Sequence, residues 1–198
     1  MFNSFKVILM KKTTISLETH LWYVQDLKVP YNLLKALFSY TNPSELRTDF
    51  NELMCYVNSL TICMSRTPAK SLEVYSFLRS IIRVSYKMYC KPKKYHVQLP
   101  LTPLDKTSFH LFIGNLLYNE YLDPYLTFKN VFEKQSYKKL ESDLYQIIQY
   151  AIGSFSDNLP PKSVSTTFIN INKLLDACWL IHKRGYLRDS KELLSTTK

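Results

Sequence analysis

Residues 67–94 read TPAKSLEVYSFLRSIIRVSYKMYCKPKK and carry the clearest amphipathic helix pattern in the chain. Thr67 is a good N-cap, and Pro68 suits the first helical position because its missing N–H would have no partner there. Apolar residues recur at spacings of three and four, which predicts one buried face. They are Val74, Phe77, Leu78, Ile81, Ile82 and Met88. We therefore expect the rest of the chain to be organised around this helix.

The other side of the predicted helix carries a cationic stripe with tyrosines at its borders. The candidate nucleic-acid-binding residues are Arg79, Arg83, Lys87, Lys91, Lys93, Lys94, Tyr75 and Tyr86. Residues 70–94 contain seven Lys or Arg and one Glu, so they contribute +6 to a chain charge of +10. Such cations can bind phosphates while tyrosines stack on bases. The alternative is the solvated face of an ordinary helix.

The composition indicates a folded chain and argues against several classes of nucleotide-binding protein. With 198 residues, of which 46% are apolar, the chain can bury a proper core. It contains only three glycines, where about 7% is usual. The three stand far apart, at positions 114, 153 and 185, so neither of the glycine-rich phosphate loops GxGxxG and GxxxxGK[ST] occurs. These folds are excluded.

Helix signals recur along the whole chain, and they predict an all-α fold. Four segments begin with a capping residue followed by proline. These pairs are Asn42-Pro43, Thr67-Pro68, Thr102-Pro103 and Asp123-Pro124. Their spacing is irregular, so we expect an irregular bundle or a short α-solenoid of about seven to eight helices. The helix after Pro103 is predicted to reach about Asn119, and a late helix to end at Gly185.

The chain divides by pattern into an N-terminal extension, two helical halves and a connector. The extension is residues 1–22, and the halves are residues 23–94 and 105–198. Residues 95–104 contain two prolines and form the connector, although a single domain throughout is also open. The extension has lysines and hydroxyls but no acid before Glu18, which partly fits a mitochondrial targeting segment. An ordered strand or short helix is the alternative.

Residues 168–194, FININKLLDACWLIHKRGYLRDSKELL, resemble one pentatricopeptide repeat. Asn172 with Leu174 and Leu175 resembles the start of its first helix, and residues 185–194 resemble its turn and second helix. The resemblance covers under a seventh of the chain. It implies a helical hairpin of a kind found in organellar RNA-binding proteins, and it assigns no base-reading role to any residue here.

Catalytic and metal-binding patterns are missing from the sequence. The four histidines lie far apart, and the acids do not pair at catalytic spacing. The cysteines are Cys55, Cys63, Cys90 and Cys178. They form no CxxC, and we expect them to be reduced and buried, in an intracellular reducing compartment. We predict no cofactor, no metal and no enzymatic activity.

The sequence therefore predicts a non-enzymatic basic helical protein. It would bind RNA or an RNA–protein assembly through the cationic stripe, with the mitochondrial matrix as a candidate location. The first alternative is a helical protein-interaction module, an assembly or accessory factor whose cations face an acidic protein partner. A second is attachment to anionic lipid. No apolar run approaches the roughly 18–20 residues of a membrane span, so we expect no integral span.

Overall fold

Eight α-helices make up most of the described chain, and no strand occurs among the residues that the structure, a computed structural model, describes. These are residues 29–59, 67–96, 114–153 and 163–196, with the backbone alone described for 58–59 and 186–196. The helices are α1 (Pro30–Tyr40), α2 (Pro43–Ser59), α3 (Pro68–Cys90), α4 (Pro92–Tyr95), α5 (Tyr118–Leu122), α6 (Tyr125–Phe132), α7 (Tyr137–Ile152) and α8 (Val164–Thr196). The all-α prediction is confirmed. The predicted extension, Cys63 and residues 97–104 of the connector lie outside the described residues.

Side-chain caps start the helices as the sequence predicts. Thr67 Oγ1 accepts the backbone N–H of Lys70 at 3.3 Å, and Asn42 Oδ1 accepts that of Ser44 at 2.9 Å. Each such bond satisfies one backbone donor that a helix start leaves without a partner. The helix starts predicted at Pro43, Pro68 and Pro124 are confirmed, to within one residue at Pro124. The start at Pro103 lies outside the described residues.

Helix α3 occupies the middle of the fold and contacts α1, α2, α4, α6, α7 and α8. Its six predicted core residues are all buried, and so are Val84, Ser71, Ser80 and Ser85. Ser85 Oγ lies 3.2 Å from Cys178 Sγ on α8, because a small side chain lets that helix approach closely. In a solenoid each repeat contacts only its neighbours, so these contacts fit the bundle of the two predicted architectures.

Both predicted halves of the chain contribute to one hydrophobic core. The ring centroid of Phe38 on α1 lies 5.1 Å from that of Trp179 on α8. Those of Phe50 on α2 and Phe168 on α8 lie 5.0 Å apart. Edge-to-face and tilted ring pairs at these distances add about 0.5–1.5 kcal/mol each to the free energy of area burial. The last helix therefore closes the core over the first two.

A fully buried carboxylate joins three of the later elements. Glu120 on α5 accepts the N–H of Leu117 at 2.9 Å, the amide of Asn130 on α6 at 2.9 Å and the ammonium of Lys173 on α8 at 3.0 Å. Burial by itself would raise the pKa of Glu120, but these three hydrogen bonds outweigh it and the net pKa is lowered. The carboxylate is thus held ionised between α5, α6 and α8.

Two of the four cysteines differ from the prediction that all are buried. Cys55 and Cys90 are exposed, whereas Cys178 is buried, and all three are free thiols. Burial raises the pKa of Cys178 to about 12, so its thiol stays protonated. Cys55 and Cys90 stand on helix faces that no other described element covers. The helical period alone did not reveal this, because both have apolar neighbours in sequence.

Two predicted helix ends are wrong. The helix expected to reach Asn119 is interrupted by a turn at Gly114, whose φ is +57°, and α5 begins only at Tyr118. Helix α8 continues through Gly185, where a C-terminus was expected, and ends at Thr196. Glycine is common just past a helix end, but nothing prevents it from standing inside a helix at a modest cost.

We expect the change Gly185→Ala to stabilise the protein. A Cβ built at this position meets no described atom within 4 Å, and the backbone is helical. Alanine loses less backbone entropy on folding than glycine, which corresponds to about 0.5–1 kcal/mol in a helix interior. Urea unfolding followed by circular dichroism measures the difference. A lower free energy of unfolding would mean that the helix is broken at this residue.

Candidate nucleic-acid interface

Helices α3 and α7 lie side by side and antiparallel. Leu72, near the start of α3, lines the same groove as Ile148, near the end of α7. Arg83 pairs with Glu141 near the start of α7. The α3–α7 seam, meaning the line along which these two helices meet, holds four of the eight predicted site residues: Tyr75, Arg79, Arg83 and Tyr86. An apolar groove comes first, then an ion cluster, then a tyrosine cluster.

The ion cluster in the middle of the seam consists of Arg79, Arg83 and Glu141. The Nε atom of Arg83 lies 2.5 Å from Glu141 Oε1, and that of Arg79 lies 3.4 Å from the same oxygen. The three side chains are between 18% and 24% exposed. One carboxylate thus serves two guanidiniums, and the cluster keeps a net charge of +1. Arg79 and Arg83 are partly committed to holding α7 against α3.

Glu141 and Asp143 point to different faces of α7, as their spacing predicts. Glu141 meets α3, whereas Asp143 is buried and accepts the hydroxyl of Thr167 on α8 at 2.8 Å. The ammonium of Lys139 lies 2.5 Å from the other oxygen of Asp143. The two acids therefore belong to separate networks, and among the described residues neither has beside it the second carboxylate that acid–base catalysis by a pair uses.

The tyrosine cluster follows the ion cluster along the seam. The ring centroid of Tyr86 lies 4.4 Å from that of Tyr137 and 5.2 Å from that of Phe132. Tyr89 lies 6.1 Å away on the next turn of α3. A hydrogen bond with Cys90, together with partial burial, raises the pKa of Tyr86 to about 12. The phenol therefore stays protonated, and the half-buried rings lie beside an exposed cysteine.

Three exposed lysines follow the tyrosine cluster, and we call them the basic end: Lys91, Lys93 and Lys94. Pro92 breaks α3 and starts α4, which turns these side chains outward. Within the described ranges, no carboxylate lies within ion-pair distance of any of the three. Next to α4, His96 Nε2 lies 3.5 Å from Asp123 Oδ1. Lys94 also lies over the ring of Tyr95, with its Nζ 5.4 Å from the centroid.

The predicted stripe is thus divided rather than continuous. The basic end and Tyr86 lie at one end of the seam, and Lys87 is half-buried on the turn between them. Tyr75 lies at the opposite end, where its ring centroid is 6.1 Å from that of Tyr145. Glu141 is 58 residues from Arg83 in sequence. No local pattern could have revealed that this acid would lie against the two arginines.

Other kinds of site find little support in the part of the chain that the structure covers. No three His, Cys, Asp or Glu side chains among the described residues lie together as metal ligands would. None of the described helices is both long and apolar enough to cross a membrane. Among known proteins, no family model, curated protein or solved structure matches this chain.

Proposed function

We propose that this protein binds RNA, alone or within an RNA–protein assembly, through the basic end and the adjoining tyrosine cluster, and that it does so without catalysing a reaction. The observation that carries the proposal is the exposure of Lys91, Lys93 and Lys94, with no described carboxylate in reach. Cations without an internal partner contribute most to the affinity for phosphates. Their binding to the polyanion releases the counterions that are condensed on it.

The tyrosines supply the second part of the proposed interface. Tyr86 and Tyr89, on the last turns of α3, form one half-buried cluster with Tyr137 on α7, next to the basic end. Base–aromatic stacking adds about 1–3 kcal/mol per base in single-stranded complexes. Held by their neighbours, these rings lose little conformational entropy on binding. The mitochondrial location stays a prediction that agrees with this ligand. The resemblance of residues 168–194 to a pentatricopeptide repeat also stays a prediction, but the hairpin that it implies needs a turn near Gly185, where α8 is continuous.

We propose RNA as the ligand, and not an acidic protein, because the cations of the basic end are lysines. All three residues are lysines, which are depleted at the centres of protein–protein interfaces, whereas arginine and aromatics are enriched there. The two arginines of the stripe are instead partly committed to Glu141 within the fold. A flexible lysine acts as a point charge, which suits a phosphate backbone without fixed geometry.

Charge reversal at the basic end is expected to weaken RNA binding strongly. The double change Lys93→Glu and Lys94→Glu should lower affinity for a single-stranded RNA of about 16 nucleotides on the order of tenfold or more. The slope of log K against log salt should fall by about 1 per lysine removed. Fluorescence anisotropy between about 50 and 200 mM salt measures both quantities.

The chain offers a matched control pair for this experiment. Lys35 and Lys183 lie near His182. Burial is the main reason why the pKa of His182 is lowered, and the positive charges of Lys183 and Lys35 lower it further. Lys183 rests 4.6 Å above the ring of Trp179, much as Lys94 rests over Tyr95. Lys35→Glu with Lys183→Glu makes the same change in net charge and should leave RNA affinity nearly unchanged. Equal losses from both pairs, or affinity insensitive to salt, would contradict the proposal.

Alkylation of the native cysteines gives a readout that needs no mutation. Cys90 lies beside Tyr86 in the proposed interface, whereas Cys55 is exposed on α2. Bound RNA should slow the reaction of Cys90 with N-ethylmaleimide and leave that of Cys55 unaffected, as peptide mass spectrometry would show. If anionic vesicles protect Cys90 and RNA does not, the ligand is lipid and the proposal fails.

A further inference from the structure

An apolar groove opens at the end of the α3–α7 seam away from the basic end. Its apolar lining comes from Leu72 and Tyr75 on α3 and from Tyr145, Ile148 and Ile152 on α7, and its volume is about 320 Å³. Leu72 and Tyr145 are each 51% exposed. Large apolar side chains gathered in one open groove mark an interaction site more often than scattered ones do.

Arg79 lies next to this groove, on the side of the ion cluster. The guanidinium carbon of Arg79 lies 5.8 Å from the ring centroid of Tyr75. Its side chain is 24% exposed, so part of it can be reached from solvent. Arg79 shares Glu141 with Arg83, which binds that carboxylate more closely. The three side chains together carry a net charge of +1, which attracts an acid to the cluster, next to an apolar surface.

We propose that the groove docks an amphipathic helix of a partner protein, which places apolar side chains against Leu72 and Tyr145 and a carboxylate against Arg79. Two antiparallel helices with an open groove between them are the usual receptor for a third helix. Leu72 and Arg79 are seven residues apart on α3, or about 10 Å along the helix axis. The partner then carries its acid about two turns from its first apolar anchor.

A pair of labelled peptides tests this surface. Each is an alanine-rich helix with leucines at positions i and i+4, and the two differ only at i+7, where one has glutamate and the other lysine. Fluorescence anisotropy should show the glutamate peptide binding about fivefold more tightly than the lysine peptide, since the pair formed with Arg79 is partly exposed. Failure of the glutamate peptide to bind at about 1 mM overturns the proposal.

Two substitutions separate the apolar and the charged contributions. Leu72→Ser should weaken both peptides, because it removes an exposed anchor of the groove. Arg79→Gln should abolish the preference for glutamate and leave the lysine peptide nearly unaffected. Ile169→Ser is the matched control, since Ile169 on α8 is also 51% exposed and lies outside the groove lining. An equal effect of Leu72→Ser and Ile169→Ser would overturn the proposal.

The groove and the basic end are separable by the same set of variants. Leu72→Ser should not change RNA affinity, and the double change at Lys93 and Lys94 should not change peptide affinity. Thermal unfolding of every variant distinguishes a lost contact from a lost fold, and because Leu72 is half exposed its replacement should leave the melting temperature nearly unchanged. The opposite pattern would overturn the proposed docking at the groove. In that pattern the peptide still binds the Leu72→Ser variant but no longer binds the double variant at Lys93 and Lys94, so its site is the basic end.

Discussion

Replacing Arg184 with alanine is expected to lower the free energy of unfolding by about 3–5 kcal/mol, one of the two largest effects that we predict. Arg184 on α8 has no exposed surface, although it is one of the largest fully buried side chains among the described residues. Its two terminal nitrogens donate to the carbonyl oxygens of Tyr121 at 2.7 Å and of Leu122 at 3.2 Å. Its guanidinium carbon lies 4.7 Å from the ring centroid of Tyr121.

These carbonyls belong to the last turn of α5, which is why the loss should be large. A five-residue helix is far too short to be stable alone, and its terminal carbonyls carry partial negative charge. Arg184 satisfies them from α8, while Lys173 on α8 holds Glu120 on the same short helix. Removing the guanidinium leaves two carbonyl groups without their donors and opens a cavity, so α5 should detach from α8.

Two further variants make this prediction specific. Arg184→Met keeps most of the buried volume and loses only the donors, so its effect should be smaller, about 2–3 kcal/mol. Lys183→Ala, at the exposed neighbouring position, should change the free energy of unfolding by less than about 0.5 kcal/mol. Urea unfolding by circular dichroism measures all three. An Arg184→Ala effect as small as that of Lys183→Ala would show that the guanidinium is not needed to hold α5.

Local patterns predicted the helices well because their causes are local. The N-cap at Thr67 acts within three residues, as its bond with Lys70 shows. The apolar period of α3 acts within two turns, and all six of its predicted core residues are buried. The all-α class followed from such signals repeated along the chain. The same locality explains the errors at Gly114 and Gly185, because the surroundings of each glycine decide whether the helix stops there or continues.

The partners of the charged residues could not be predicted, because they lie far away in sequence. The period of α8 predicts an end at Gly185 and so assigns Arg184 to the C-terminus of its own helix. In the structure Arg184 instead binds the end of α5, 63 residues earlier. Arg83 likewise finds Glu141 across the seam. A cationic stripe that is read from the sequence therefore shows how many positive charges it contains. It does not show how many of them are neutralised by acids elsewhere in the fold.

The candidate site was accordingly predicted in part. The basic end is exposed, as a nucleic-acid interface requires, and Tyr86 lies on the adjoining turn in a cluster that the sequence could not assemble. That cluster needs Tyr137, which lies on another helix. Tyr75 lies at the far end of the seam and Arg79 in its middle, next to a groove that no pattern within α3 could reveal. Pairing of helices creates both features, and pairing is not a local property.

Gly114→Ala is the second change for which we expect a large loss, about 2–5 kcal/mol in the free energy of unfolding. The φ of Gly114 is +57°, a conformation that costs an L-residue about 1–2 kcal/mol. An added Cβ would also stand within 2.9 Å of the Asp176 carboxyl carbon. That carboxylate accepts the N–H of Asn115 at 2.8 Å and pairs with Arg47 on α2. It has little room to move.

Displacing this carboxylate is costly because burial already disfavours its charge. Burial raises the pKa of Asp176, and the bonds from Asn115 and Arg47 offset the shift only in part. A Cβ at Gly114 would push the carboxylate away from the hydrogen-bond donors that stabilise its negative charge. Gly185→Ala, the same change without either constraint, should have the opposite sign.

A double-mutant cycle separates the collision from the backbone strain. In an Asp176→Ala background no carboxylate remains to collide, so Gly114→Ala should cost only the left-handed conformation, about 1–2 kcal/mol. The difference between the two backgrounds measures how strongly the turn and the carboxylate depend on each other. If Gly114→Ala costs the same in both, the strain is confined to the backbone, and the close approach of Asp176 contributes nothing to the selection of glycine at this turn.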